Sequence, residues 1–430
     1  MPKNSNKVKQ MDYSNLSKTI TKELSKQEKK DNGIYFTPPT TILKSIEILK
    51  PCIKDNIKAL EPSCGSCEYI NLLHNHNKTI QITGIEQNEK IFQKINTTQI
   101  ENVTLINSDF LIYNITESFD LIFGNPPYFV VKKKDNKKTK KNEKTDKNIK
   151  EYDISEEYCS YFDGRPNIFI LFIIKSLGLL NENGILSFVL PSSFTNCLYY
   201  DKLRKHIYEN FKIIEIVECS DDKYLETKQD TILFIIQKQK PQNNENNEFV
   251  IHIQEYTFIN TKINILRLRE LYKNSTTLHS LGFKVSVGNI VWNQCKDILT
   301  NDETKTRLIY NSDIENNSIV KKDYSKNEAK KNYIDKPGIR DIMLVINRGY
   351  GVGSYSFDYC LIDVDFDYLI ENHLICIKYE KNLKKNELIE LYKKIIKSLE
   401  SDKTKEFIDV YFGNNAINTT ELNYILPIYF

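Results

Sequence analysis

The sequence predicts an α/β fold, with a mostly parallel sheet covered by helices on both faces and a mixed α+β region behind it. Two observations carry this. Short apolar strands alternate with helical patterns over the first 240 residues or so. Polar residues stand just behind several of those strands, at Glu61, Glu86, Asp109 and Asn125. In open α/β sheets, ligands sit outside the carboxyl ends of the strands, so these four mark a candidate site.

The elements follow in order. Residues 1–31 are polar and Lys-rich and read as a disordered arm. Thr40 to Leu49 has helical spacing, with Ile42, Ile46 and Leu49 on one side, and Pro51 stops it. Strands are expected at Ile57 to Leu60, Gln81 to Glu86, Asn102 to Ile106 and Phe119 to Gly124. The stretch 165–180 is apolar enough for a buried helix, and Gly184 to Leu190 follows as a strand. Residues 213–218 and 230–237 read as closing strands. The polar run from Pro241 to Glu248 reads as a boundary. Beyond it lie strand-like pieces at 248–254, 341–347 and 372–378, and an amphipathic helix at about 384–400.

A chain of 430 residues suggests two or three domains, at roughly 100–200 residues each. Lys and Arg number 60 against 57 Asp and Glu, a net charge of +3, which excludes a histone-like or strongly acidic protein. The distribution is uneven. Residues 1–30 carry eight Lys against Asp12, Glu23 and Glu28, and 132–150 carry ten Lys against Asp135, Glu143 and Asp146. Two basic segments on a near-neutral body suit either a solvated surface or attraction to a polyanion. No apolar run reaches the roughly 18 residues of a membrane span, and the first 30 residues lack a secretory apolar core. Nine scattered Cys read as reduced thiols, so a cytoplasmic location is expected. Cys64 and Cys67 have half the spacing of a zinc site, but no second half follows, and no metal is expected.

The sharpest motif is Asn125-Pro126-Pro127-Tyr128, directly after the strand that ends at Gly124. Two prolines fix φ and stop further pairing. Asn125 offers an amide oxygen and Pro126 a carbonyl. Two acceptors beside an aromatic ring suit a planar group carrying an NH₂. In context, this stretch resembles motif IV of the class I, S-adenosylmethionine-dependent amino-methyltransferases. Tyr35 to Pro39 resembles their motif X, and Leu60 to Gly65 their motif I. Gly84 to Glu86 resembles motif II, and Ser108 to Phe110 motif III. The resemblance covers about residues 33–237. Where the family shows a second glycine in motif I, this chain has Cys67.

The resemblance implies a Rossmann-like methyltransferase domain that binds S-adenosyl-L-methionine. Its cofactor residues would be Thr37, Glu61, Ser63, Cys64, Gly65, Glu86, Gln87, Asp109, Phe110 and Asn125. Glu86 would take the ribose hydroxyls, Asp109 and Phe110 the adenine, and Glu61 and Thr37 the two ends of the methionine. Asn125, Pro126, Pro127 and Tyr128 would be catalytic. Tyr128, Tyr224, Lys132, Lys133 and Lys134 would contact the substrate, with Tyr224 as a second aromatic wall.

Only 59 residues separate Gly65 from Gly124, too few for an inserted DNA-reading domain, and the extra segment is C-terminal. That order resembles the gamma group, the TaqI type, of N6-adenine DNA methyltransferases. The expected organisation is a basic arm over 1–31 and a catalytic domain over 32–240, with a mobile Lys-rich loop at 132–150. A target-recognition domain follows over 249–430. The expected partner is double-stranded DNA, with a monomeric enzyme functionally paired with a restriction endonuclease. RNA-base and N5-glutamine methyltransferases also use such a tetrapeptide, and an inactive DNA-binding protein on the same fold is a further alternative. In the C-terminal part, Val287 to Gln294, Asn347 to Gly353 and Phe412 to Asn415 place amides, Arg, Tyr or Trp on glycine turns, as candidate base readers or simply turns.

Overall fold

The computed structural model describes residues 12–97, 100–134, 149–219, 224–227, 229–242, 245–324, 329–347, 357–411 and 417–430. They fall into two units, one of 1–252 with 256–265 and one of 253–255 with 266–430.

The first unit opens with a helical hairpin, α1 (Asn15–Glu23) and α2 (Lys26–Asn32), followed by α3 (Pro39–Leu49). Then come β1 (Lys58–Glu61), α4 (Glu68–His76), β2 (Gln81–Glu86), α5 (Glu89–Ile95), β3 (Val103–Asn107) and β4 (Phe119–Gly124). Two short strands, β5 (Val131–Lys133) and β6 (Lys150–Tyr152), pair with each other. One helical turn, α6 (Glu156–Cys159), leads to α7 (Ile168–Leu179) and β7 (Leu180–Pro191). Helix α8 (Asp201–Asn210) and strands β8 (Lys212–Glu218) and β9 (Thr231–Gln237) complete the layer.

The seven-stranded sheet runs β3-β2-β1-β4-β7-β9-β8. Strands β3 to β7 of that order are mutually parallel, and β9 is antiparallel to both neighbours. The period-two pleat sorts its side chains. Leu60, Ile122, Leu186, Phe188 and Phe234 join one core with α7 and α8. Ala59, Leu121, Phe123, Val189 and Leu233 join another with α1, α3, α4 and α5. Both faces are covered, so both residue parities are apolar, and the strands read as uninterrupted runs.

Two expectations need correction. From residue 12 on, the N-terminal arm is helical and packed: Ile20 is 1% exposed and Leu24 5%. Ser14 and Ser25 cap α1 and α2, and Gly33 ends α2 in the left-handed region at φ +63°. The Lys count conceals this, because Ile20 and Leu24 anchor a hairpin whose other side is solvated. Residues 1–11 lie outside the described residues.

The polar run at 241–248 is not a linker either. Its described part enters a 3₁₀ turn, and Asn246 is buried at 1% exposure. The Asn246 amide accepts from Ile213 N at 2.8 Å and donates to Phe211 O at 2.8 Å and Tyr208 O at 3.0 Å. One side chain thus serves three backbone groups that water does not reach. Asn246→Ala should destabilise the fold by about 2–3 kcal/mol, read by chemical denaturation. A change below about 0.5 kcal/mol would return the stretch to a linker.

The second unit is mixed α+β. Phe283–Val287, Leu374–Tyr379, Met343–Asn347 and Tyr359–Ile362 form an antiparallel sheet. Helix Lys385–Leu399 lies against it through Tyr392, whose ring is 5.3 Å from that of Phe283. A second four-stranded sheet is built around Thr306–Ile309. Trp292 to Gln294 is a single 3₁₀ turn. Of the candidate base readers, 348–353 and 412–415 lie outside the described residues. The Asn347 amide is engaged with Asp358 at 2.7 Å.

Candidate functional site

The carboxyl ends of β1, β2, β3 and β4 open onto a cavity of about 420 Å³. Thr37, Glu61, Ser63, Cys64, Gly65, Glu86, Gln87, Asp109, Phe110 and Asn125 all line it. Parallel strands bring their carboxyl ends to one edge, which is why Glu61, Glu86, Asp109 and Asn125 share one cavity, and Thr37 joins them from the segment between α2 and α3.

Glu61 ends β1 and is 4% exposed. Its Oε2 is buried with no hydrogen-bond partner among the described residues. Burial, and then Cys67 and Glu86 nearby, push its carboxyl well above the usual range. An orphaned carboxylate oxygen facing a cavity fits a cationic amine. Gly124 makes room for it. The Gly124 φ is +140°, and an added Cβ would stand 3.1 Å from Glu61 Cγ.

Glu86 ends β2. Its carboxylate accepts from Gly65 N at 2.9 Å and Asn88 N at 2.7 Å, so it ties the loop after β1 to the start of α5. Burial raises its pKa to about 6. Each oxygen keeps a further lone-pair direction, which suits a diol. Asp109 accepts from Leu111 N at 2.8 Å and Gln87 Nε2 at 3.0 Å. Phe110 is held from behind by Phe172, ring centroids 4.9 Å apart, and by the Lys175 ammonium 4.9 Å above it. Acceptor and ring together suit a purine carrying an amine.

Cys67 occupies the left-handed region at φ +60°, the backbone conformation a glycine would adopt. Its side chain is buried in the core rather than lining the cavity. The departure from glycine therefore leaves the loop its turn.

Asn125 begins the turn after β4. Its Nδ2 donates to Tyr35 O at 3.2 Å, and its own carbonyl accepts from Ser63 Oγ at 3.1 Å. With Nδ2 fixed on a carbonyl, the amide orientation is set, and Oδ1 is the acceptor side. Oδ1 accepts from the Tyr128 hydroxyl at 2.6 Å, and the same hydroxyl lies 2.7 Å from Val189 O. Burial first, then Tyr224 and Cys219, raise the Tyr128 phenol well above its ordinary value. It stays a neutral donor. The Tyr128 ring meets Phe169 edge-on at 5.9 Å.

Pro127 lines the cavity, whereas Pro126 and Tyr128 stand beside it. Tyr224 lines a smaller neighbouring cavity with Tyr35 and Phe36. Lys132 and Lys133 are on β5, paired with Glu151 at 3.1 Å and with Glu156. Lys134 follows, its N–H donating to Tyr152 O at 2.8 Å. Residues 135–148 of the Lys-rich segment lie outside the described residues.

The sequence reading missed the hairpin's share of the cavity. Glu28, Asn32 and Gly33 line it, and Glu28 pairs with Lys90 on α5 at 3.1 Å. Gly33 packs so closely on the turn after β4 that an added Cβ would stand 2.7 Å from Tyr128 N. The signal was present: Ser25 and Glu28 have capping-box spacing, with Gly33 as a helix stop.

Residues 4–225 match the Eco57I restriction-modification methylase family. Type II methyltransferase M.CvrRI of Paramecium bursaria Chlorella virus XZ-6E is 27% identical over 379 residues, 86% of this chain and 88% of that one. Modification methylase CviBIII of Paramecium bursaria Chlorella virus NC1A is 30% identical over 45% of this chain and 47% of its own length. Among solved structures, the DrdV–DNA complex shares the fold at TM-score 0.50 and 12% identity, over 96% of this chain and 57% of that one. No described helix is long and apolar enough to cross a membrane.

Proposed function

Because the chain belongs to the Eco57I restriction-modification methylase family, we propose that it is a sequence-specific DNA methyltransferase acting on N6 of a flipped adenine in double-stranded DNA. S-adenosylmethionine is the methyl donor. The observation that carries the target is the Asn125 amide, its oxygen side set by Tyr35, at the rim of a cavity that holds Glu61, Glu86 and Asp109.

Bound in the cavity, S-adenosylmethionine supplies an electrophilic methyl group on a sulfonium. Glu61 would face its ammonium and Glu86 its ribose diol, while Asp109 and Phe110 would take its adenine. The target amine is a poor nucleophile, because its lone pair is delocalised into the ring. Asn125 Oδ1 and the Pro126 carbonyl accept from its two hydrogens and favour a pyramidal nitrogen, whose lone pair then points out of the ring plane. Positioning and oriented dipoles do most of this work, without a covalent enzyme intermediate. The base must leave the duplex, at a cost of a few kcal/mol. Stacking on Tyr128, with Tyr224 as a second wall, returns about 1–3 kcal/mol per base.

The second unit, from about residue 266, reads the sequence. The basic segment 132–150 contacts phosphates, Lys132 and Lys133 exchange their carboxylate partners for DNA, and Lys134 joins them. The enzyme acts as a monomer and protects sites that a companion endonuclease cuts. Deleting 133–149 should weaken DNA binding and flatten its salt dependence, by about 0.9 in log–log slope for each phosphate that is no longer neutralised. An unchanged slope would return the segment to a solvated surface.

The test of the function is base-resolved sequencing of DNA from a host that expresses the protein. The expected product is N6-methyladenine at one short sequence. N4-methylcytosine, or unmodified DNA from an expressed and folded protein, would overturn the assignment.

A further inference from the structure

The N-terminal hairpin reaches two sides of the site. Toward the cofactor cavity, Ser14 Oγ donates to the Glu68 carboxylate at the head of α4 at 2.7 Å, and Glu28 pairs with Lys90. On its other side stands Lys29, the one lysine of α2 that is withdrawn from water, with a side chain 6% exposed. Its Nζ donates to Thr21 O at 2.8 Å and pairs with Glu226 Oε2 at 2.5 Å. Lys29 and Glu226 share a small cavity with Tyr35, Phe36 and Tyr224. Tyr224 Oη stands 3.4 Å from Thr231 Oγ1, and the Tyr35 carbonyl holds the Asn125 amide. A lysine this deep persists only where its charge is matched. Removing one partner of such a pair leaves the other uncompensated, so its clearest use is to fix one arrangement of the elements it joins.

On the reading of this protein as an adenine methyltransferase, we propose that Lys29 is a positioning residue for the target base: from α2, its ammonium holds Glu226 and thereby sets Tyr224 as the second aromatic wall of the base pocket. The hairpin belongs to the catalytic apparatus in this respect, although it touches neither the base nor the methyl group. The pair acts on how well the flipped base is held, and the cofactor side of the hairpin acts through other residues.

The test uses the full chain and two unmethylated duplexes of its recognition sequence, one with 2-aminopurine in place of the target adenine for fluorescence and one with adenine itself for methyl-transfer kinetics. Wild type, Lys29→Arg, Lys29→Met and Glu226→Gln are compared by fluorescence rise on binding, by kcat and KM for DNA, and by calorimetric cofactor affinity. Lys29→Met and Glu226→Gln should lose most of the rise and about tenfold to a hundredfold in kcat/KM for DNA, with cofactor affinity unchanged. Lys29→Arg should restore both. Glu226 is one-third exposed, and glutamine keeps an oxygen that can accept from the Lys29 ammonium, so Glu226→Gln is the milder change; circular dichroism checks that each variant is folded before it is scored. A full rise in Glu226→Gln, or an equal loss of cofactor affinity, overturns the positioning role. No rise and no N6-methyladenine product with wild type would instead remove the adenine reading on which the role rests.

Discussion

Replacing Asn125 by alanine will cut kcat by about a hundredfold to a thousandfold, while S-adenosylmethionine still binds. The two effects separate because Asn125 serves the site through different atoms. Its main-chain carbonyl accepts from Ser63 Oγ at 3.1 Å, and alanine keeps that hydrogen bond to the cofactor loop. Its side-chain oxygen, braced by the Tyr35 carbonyl on the amide side, is the acceptor that the proposed mechanism assigns to the target amine. Alanine removes that acceptor and leaves the Tyr128 hydroxyl with only Val189 O. The measurement is single-turnover methyl transfer from labelled cofactor, beside a direct cofactor titration. Retained transfer would take Asn125 out of the chemistry. Failure to bind cofactor would make it a scaffold residue.

Glu61→Gln will weaken S-adenosylmethionine binding by about a hundredfold or more, because a buried charge loses its counterpart. The pH dependence gives a second signature. Burial first, then Cys67 and Glu86, hold the Glu61 carboxyl well above its ordinary value near 4.5. Binding an ammonium requires the ionised form, so binding releases a proton wherever the empty site is protonated. Cofactor affinity therefore rises with pH from the ordinary carboxylate range and levels off above the raised pKa. The stability of the empty protein moves the other way. A folded-state pKa raised above the unfolded value contributes stability that is present below about pH 4.5 and lost as pH rises through the raised value. The glutamine variant should flatten the contribution of this group to both curves. Calorimetry in two buffers of different ionisation enthalpy reads the proton directly. An affinity that is independent of pH in the native protein would move the ammonium away from Glu61.

Local chemistry wrote much of this site into the sequence. Glu61, Glu86 and Asp109 are polar where an apolar strand has just ended, and Asn125 is followed by two prolines that forbid further pairing. Parallel topology then brings such ends together, so the residues that follow β1 to β4, from Glu61 to Asn125, line one cavity, which Thr37 joins from the segment before α3. The strands at 81–86 and 119–124 stand where their apolar runs place them. The hairpin was less legible. Its Lys content suggests a solvated arm, and its anchors, Ile20 and Leu24, are too few to declare a packed element.

What the sequence alone determined is the set of groups that follow each strand and the chemistry each can offer, because residue type and spacing are local properties. Only the tertiary structure decided which distant groups meet. It places Gly33 against Tyr128, pairs Lys29 with Glu226, and buries Asn246 under three backbone groups. The reason is physical. A lysine or an asparagine in a polar stretch is isoenergetic with its neighbours until packing removes water from around it, and burial is a property of the whole fold.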